Sequence, residues 1–291
     1  MQLGLVGLGR MGGNMRERLR RAGHEVVGYD RNPEVTDSGS LAELVAALEA
    51  PRVVWVMVPS TVTESTVDEL AGLLGEGDIV IDGGNSRFSD DLPRAARLGE
   101  RGIGYLDVGV SGGVWGLEAG YALMVGGDDE HVARCMPIFE ALKPAGEFGF
   151  VHAGGVGAGH YAKMVHNGIE YGLMHAYAEG YELLAASELV TNVPGVVKSW
   201  REGTVIRSWL LDLLDRALDE DPTLAGLRGY ADDTGEGRWT VEEAIRLAVP
   251  MNVIAASLFA RFASRQQDSP AMKAVAALRA GFGGHAVKSK D

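Results

Sequence analysis

The first thirty residues run strand, glycine turn, helix, strand, acid, and few folds accept that order. Residues 2–7 form an apolar strand, and Gly7-Leu8-Gly9-Arg10-Met11-Gly12 follows it directly. Residues 11–22 carry a helical pattern and 25–30 form the next strand. A G-x-G-x-x-G motif means little alone; between a strand and a helix it becomes informative. The glycines permit a tight turn and bring backbone close to a pyrophosphate. The helix N-terminus then faces that anion with free N–H groups and the positive end of its dipole. Asp30 ends the second strand at about 20 residues from the motif, where a carboxylate reads a ribose 2′-hydroxyl. Such a carboxylate favours NAD and repels the 2′-phosphate of NADP. Arg31 leaves NADP open, because it either stacks on adenine or holds that phosphate. Val58, Pro59 and Asn85 complete the expected cofactor-binding set.

The alternation continues. Strands are expected at 53–58, 78–82 and 104–107, then at 121–125 and 147–151, with helices at 40–49, 63–74 and 88–100. Strands alternating with helices of this length imply β-α-β units and a Rossmann-type, doubly wound α/β domain. The pattern changes at Gly154-Gly155-Val156-Gly157-Ala158-Gly159, beyond which only helices are expected. Residues 160–186 read as one long helix, apolar on most sides and therefore deeply buried. Further helices are expected at 193–201, 208–218, 240–248, 251–264 and 271–280. The expected division is 1–155 for the dinucleotide-binding domain and 156–291 for an all-α substrate and dimerisation domain.

Composition excludes several classes. The 291 residues are 46% hydrophobic, enough for a sizeable core. A formal charge of -13 repels a phosphate backbone, which sets nucleic acid aside as a partner. The single cysteine, Cys135, forms no internal disulfide and is expected as a small buried hydrophobe in a cytoplasmic protein. The chain opens on a strand without a signal-peptide pattern, and its longest apolar runs, such as 53–58, fall far short of a membrane span.

The long helix holds the most informative residues. Lys163, His166, Asn167, Glu170 and Tyr171 stand at i, i+3, i+4, i+7 and i+8, so they share one face. An amine, an imidazole, an amide, a carboxylate and a phenol in one line are costly to bury without purpose. Three readings compete: a solvated face with a Lys–Glu pair, a metal site using His166 and Glu170, and a substrate site. The metal reading lacks a third ligand, and no metal is expected. The substrate reading uses lysine as a base, a role that burial permits by lowering an amine's pKa.

These residues recur within a larger set. Gly7–Gly12, Asp82-Gly83-Gly84-Asn85-Ser86, Gly109-Val110-Ser111-Gly112-Gly113 and Lys163 through Tyr171 occur in order, followed by Gly237-Arg238-Trp239-Thr240 and Arg279 through His285. Over nearly its whole length the chain resembles the decarboxylating 6-phosphogluconate dehydrogenases. The cofactor loop, Ser-Gly-Gly and Lys-x-x-x-Asn alone would also suit a 3-hydroxyisobutyrate dehydrogenase; a non-catalytic dinucleotide-binding regulator is the alternative of another class. Asn85, His166, Glu170, Tyr171 and the C-terminal Arg279 and His285 favour the sugar-acid phosphate. The resemblance implies that substrate lies between the two domains. It assigns catalysis to Lys163, Glu170 and Asn167, substrate carboxylate and hydroxyls to Asn85, Ser111, Gly112, Gly113, His166 and Asn167, and phosphate to Tyr171, Arg261, Arg279 and His285.

Two features depart from the family. Longer members carry a lysine before Gly-x-Gly-Lys-Trp-Thr, used for the phosphate. Here the segment is Asp232-Asp233-Thr234-Gly235-Glu236-Gly237-Arg238-Trp239-Thr240, without lysine and with extra acid. The chain also resembles a short form with a single helical domain. That form implies a homodimer or homotetramer in which Arg279 and His285 reach the neighbouring site.

Overall fold

Apolar side chains alternate along the first strands, and the alternation sorts two cores. The computed structural model describes residues 1–283 and 286–288. Strands β1 (Gln2–Val6), β2 (Glu25–Tyr29), β3 (Val53–Val56), β4 (Ile79–Asp82), β5 (Gly104–Ser111), β6 (Ala122–Gly127) and β7 (Phe150–Gly154) form one sheet in the order β2-β1-β3-β4-β5-β6-β7. Leu3, Leu5, Trp55, Ile79 and Ile81 pack on one face with Met15 and Leu19 of α1 (Arg10–Arg21), and with Ile138 and Phe139 of α6 (Asp129–Leu142). Val6, Val54, Val56 and Val80 pack on the other. Their partners are Leu44 of α2 (Leu41–Ala46), Val67 and Leu70 of α3 (Ser60–Leu73) and Leu98 of α4 (Asp91–Gly99). A side-chain period of two, buried on both faces, is what a doubly wound sheet requires. The chain reverses direction across the sheet between β1 and β3, so a crevice opens at their carboxyl ends.

Several boundaries differ from expectation. The β5–β6 pair is antiparallel, whereas the neighbouring pairs are parallel. β5 runs on to Ser111, four residues past its expected end. The last strand starts at Phe150 rather than 147, because Gly146 and Gly149 take positive φ and keep the approach irregular. α6 was not expected as a helix: Pro137 lies inside it and punctuates the pattern. A short α5 (Gly116–Ala119) precedes β6.

The chain divides into two compact units, Met1–His166 and Asn167–Asp291. The division falls inside α7 (Ala158–Ala186), a continuous helix of 29 residues. The second unit adds α8 (Val193–Trp200), α9 (Trp209–Glu220), α10 (Glu236–Leu247), α11 (Asn252–Ser264) and α12 (Pro270–Gly283). Its fully buried apolar cluster is small: Val197, Leu211 and Leu218. The expected deep burial of α7 is not what a single chain provides. Ile169, Leu173 and Leu183 are 52%, 44% and 75% exposed. The five helices that follow α7 among the described residues form too few layers to enclose a helix that is apolar on most sides. Among the described residues, no helix is long and apolar enough to cross a membrane.

Candidate active site

The glycine turn is built as its residue types require. Gly7 has φ +93°, and a β-carbon there would stand 2.5 Å from Met57 O. A β-carbon on Gly12 would meet Gly7 O at 1.9 Å, so only glycine lets α1 start this close to β1. Gly9 differs: a β-carbon there would meet nothing within 4 Å. It would point into open space, which is what backbone contact with a pyrophosphate needs. Gly9 is also the N-cap of α1 and makes no side-chain cap, so the first turn presents its N–H groups outward.

A cleft of about 580 Å³ lies at this point, lined by Gly7, Gly9, Arg10, Met11, Gly12, Asp30, Arg31, Val58, Pro59 and Asn85. Leu41, Val62, Thr66 and Glu69 extend it. Leu8 is absent from the lining; its side chain is buried in the core, and its contribution is a backbone N–H that donates to Asp30 Oδ2 at 2.7 Å. Asn32 N–H donates to Asp30 Oδ1 at 2.8 Å. Two backbone donors thus aim the carboxylate. A glycine cradle, an uncapped helix start and an oriented acid at the next strand end together fit NAD.

The next part of the site rests on close backbone approach. A β-carbon on Gly109 would fall 2.3 Å from Lys163 Cβ, and one on Gly159 would fall 2.4 Å from the carbonyls of Asp107 and Met124. These two glycines let the first turns of α7 lie against β5 and β6, so β5 itself fixes the Lys163 stem. Asp107 adds a cap that the sequence does not advertise. Its Oδ1 accepts Gly157 N–H at 2.7 Å and its Oδ2 accepts His160 N–H at 2.8 Å. A carboxylate at a helix N-terminus is stabilising, here by about 1–2 kcal/mol. Ser111 ends β5 and its hydroxyl lies 3.5 Å from His166 Nε2. Gly112 and Gly113 follow at φ +148° and +54°.

In the second unit, Asn167 Nδ2 donates to Glu236 Oε1 at 3.0 Å, and Thr234 Oγ1 donates to Glu236 Oε2 at 2.6 Å. Glu236 is buried, and it explains part of the extra acid in the departing segment. Its carboxylate accepts the Asn167 amide. Asp233 pairs with Arg238 and Arg265 at 3.0 and 3.2 Å, which engages Arg238 structurally. Buried Tyr171 packs over Gly237, and Arg261 stacks 3.5 Å above its ring while donating to Asp232 O at 2.8 Å. Tyr171 and Arg261 therefore stand together. Glu170 is half-buried on α7, and Arg279 is exposed on α12. His285 lies outside the described residues.

This sheet order with its glycine cleft defines a dinucleotide-binding domain of the dehydrogenase kind. Residues 2–149 match the NAD binding domain of 6-phosphogluconate dehydrogenase, and residues 159–289 match the 6-phosphogluconate dehydrogenase C-terminal domain. The chain belongs to the 6-phosphogluconate dehydrogenase family. It is 42% identical over 302 residues to the NAD(+)-dependent, decarboxylating 6-phosphogluconate dehydrogenase of Haloferax volcanii, with both chains covered in full. The Plasmodium falciparum 6-phosphogluconate dehydrogenase, solved with NADP+ and with 6-phosphogluconate, is 26% identical. It superposes with a TM-score of 0.83 over 100% of this chain and 67% of that one. A Mycobacterium tuberculosis 3-hydroxyisobutyrate dehydrogenase shares the fold, with a TM-score of 0.71 at 24% identity over 96% of this chain and 99% of that one.

Proposed function

We propose that the protein oxidises and decarboxylates 6-phosphogluconate to ribulose 5-phosphate and CO2 with NAD as acceptor. The observation that carries this reading is full-length similarity to a short, NAD-dependent decarboxylating relative, together with the polar face of α7. NAD bound in the glycine cleft supplies the hydride acceptor. Lys163 takes the proton of the substrate 3-hydroxyl as hydride leaves C3. The resulting 3-keto acid loses CO2 readily, because the new carbonyl accepts the electron pair. The Lys163 ammonium hydrogen-bonds that carbonyl oxygen and stabilises the enediol. Glu170, two turns further along α7, protonates the carbon that becomes C1 of the product. Asn85, Ser111, Gly112, Gly113, His166 and Asn167 hold the carboxylate and hydroxyls. Tyr171 and Arg261 hold the phosphate.

Steady-state kinetics with both cofactors test this directly. Wild-type protein should release CO2 and form NADH from 6-phosphogluconate, with little activity on 3-hydroxyisobutyrate. Its kcat/KM should favour NAD over NADP at least tenfold, and Asp30→Asn should shrink that ratio about tenfold by removing the charge that repels a 2′-phosphate. No turnover of the sugar phosphate would defeat the substrate assignment. Equal use of NADP would defeat the role of Asp30.

The active form is a homodimer or a dimer of dimers. Val253 and Phe259 on α11 and Leu278 on α12 are 69%, 58% and 68% exposed, besides the bare side of α7. Apolar surface on that scale marks an interface. Arg279 and His285 would complete the neighbouring site. Sedimentation should find a dimer or larger at micromolar concentration, and a monomer with full activity would refute this assembly.

A further inference from the structure

Five charged groups buried in the first unit, Asp82, Asp91, Arg94, Asp107 and His160, form one connected chain, and the reaction as described uses none of them. It begins under the loop that carries Asn85. Asp82 is fully buried; its carboxylate accepts Gly84 N–H at 3.0 Å, the Ser86 hydroxyl at 2.7 Å and Arg94 Nη1 at 3.0 Å. The Tyr105 hydroxyl donates to Asp91 at 2.8 Å and lies 3.3 Å from Asp82. Asp91, also fully buried, accepts from His160 Nδ1 at 2.8 Å. His160 is in the first turn of α7, one turn before Lys163, and its own N–H is held by Asp107.

Three buried acids meet two buried bases in this chain: Asp82 pairs with Arg94, Asp91 pairs with His160, and Asp107 accepts backbone N–H groups of Gly157 and His160. Asp82, Asp91 and His160 are close enough to hold a cation, but Arg94 already supplies positive charge at 3.0 Å from Asp82 and 3.6 Å from Asp91. The His160 ring is gripped at one nitrogen. Its Nε2 is buried and has no hydrogen-bond partner among the described residues, so Asp91 alone orients it by side-chain bonding. Burial opposes charge on His160. The hydrogen bond to Asp91 and the attraction of Asp91, Asp82 and Asp107 outweigh it and push the pKa up to about 9.

We infer that the Asp91–His160 pair is a positioning device that registers the Lys163 turn of α7 against the Asn85 loop, through Tyr105, Arg94 and Asp82. Both ends of this brace carry residues of the proposed reaction, so the inference rests on that reading. Hydride and proton transfer tolerate little misplacement, since about 1 Å of displacement costs on the order of 100-fold in rate.

The test uses Asp91→Asn, His160→Gln and the double variant as full-length protein with NAD. Asp91→Asn should lower kcat about 100-fold while the NAD dissociation constant stays within about two-fold. The primary isotope effect with C3-deuterated substrate should rise, because hydride transfer becomes the slow step. The double variant should be no worse than either single one, as expected of groups acting together. His160→Gln stands in if Asp91→Asn does not fold. Variants that lose thermal stability but keep wild-type kcat and isotope effect would overturn the inference, as would failure of both single variants to fold or an equal loss of NAD affinity. Should wild-type protein turn over a different 3-hydroxy acid, that result defeats the substrate reading, and the same comparison on the other acid still decides the pair.

Discussion

Lys163→Ala is expected to lower kcat on 6-phosphogluconate by at least about 1,000-fold, with the NAD dissociation constant unchanged within about two-fold. General acid–base groups contribute about 100- to 10,000-fold, and the proposed mechanism gives Lys163 two such duties in succession. In the proposed mechanism it would accept the 3-hydroxyl proton, and its ammonium would then hydrogen-bond the 3-keto oxygen during loss of CO2. The backbone favours this use: Lys163 Cβ packs where any side chain on Gly109 would stand, so β5 backs the stem as it leaves α7. The glycine cleft is lined by other residues, which is why cofactor affinity should survive. Lys163→Arg sharpens the test. Arginine keeps a cation for the second duty but is not a base near neutral pH. It should be almost as inactive as alanine. Recovery of more than about a tenth of wild-type kcat by arginine would show that proton removal is not the task of this residue. Unchanged turnover in Lys163→Ala would remove the mechanism altogether, whatever the substrate.

What is legible in the sequence follows the range of the interactions involved. The strand-turn-helix at Gly7–Gly12 is local, so its geometry can be read from residue types: a positive φ at Gly7 and a carbonyl beneath Gly12. The shared face of Lys163, Asn167 and Glu170 is likewise local, because helical period alone produces it. The sheet, with its two apolar faces, follows from alternation within each strand. Asp107 is different. It caps α7 from 50 residues upstream, and nothing in its neighbourhood announces a helix so far along the chain. Glu236 is 69 residues from Asn167 and in sequence shows only as surplus acid in the segment that departs from the family; its hydrogen bond reveals a role. Pro137 conceals α6, because a local rule against proline in helices is overridden by Ile138, Phe139 and Leu142 packing on the sheet. The exposure of α7 is the opposite failure. The apolar pattern predicts a buried helix, yet Ile169, Leu173 and Leu183 are exposed, because hydrophobicity says that a face favours cover and not what supplies it.

The two glycines at the head of α1 should separate cofactor binding from folding. Gly9→Ala places a methyl where no protein atom lies within 4 Å, at backbone angles of φ -61° and ψ -167° that alanine accepts. The apo protein should therefore keep its thermal midpoint or gain slightly, since alanine lowers the entropy of the unfolded chain. The same methyl would occupy space that the pyrophosphate needs in order to reach the helix N–H groups. NAD affinity should fall about 100-fold or more, in line with losing close charge-assisted hydrogen bonds worth about 1.5–3 kcal/mol each. Gly12→Ala fails for a different reason. Its methyl would be 1.9 Å from the Gly7 carbonyl oxygen, a backbone atom that cannot rotate away. Relief requires α1 to move off β1, and α1 carries Met15 and Leu19 of the core. Overpacking of this kind costs about 3 kcal/mol or more, against which alanine's better helix propensity returns only about 1. Calorimetry on the apo variants, with NAD titrated into each, distinguishes the two. Stability should be lost only at Gly12, and affinity at both. Normal NAD binding by Gly9→Ala would mean that the pyrophosphate does not lie over this turn, and the cleft would need another ligand.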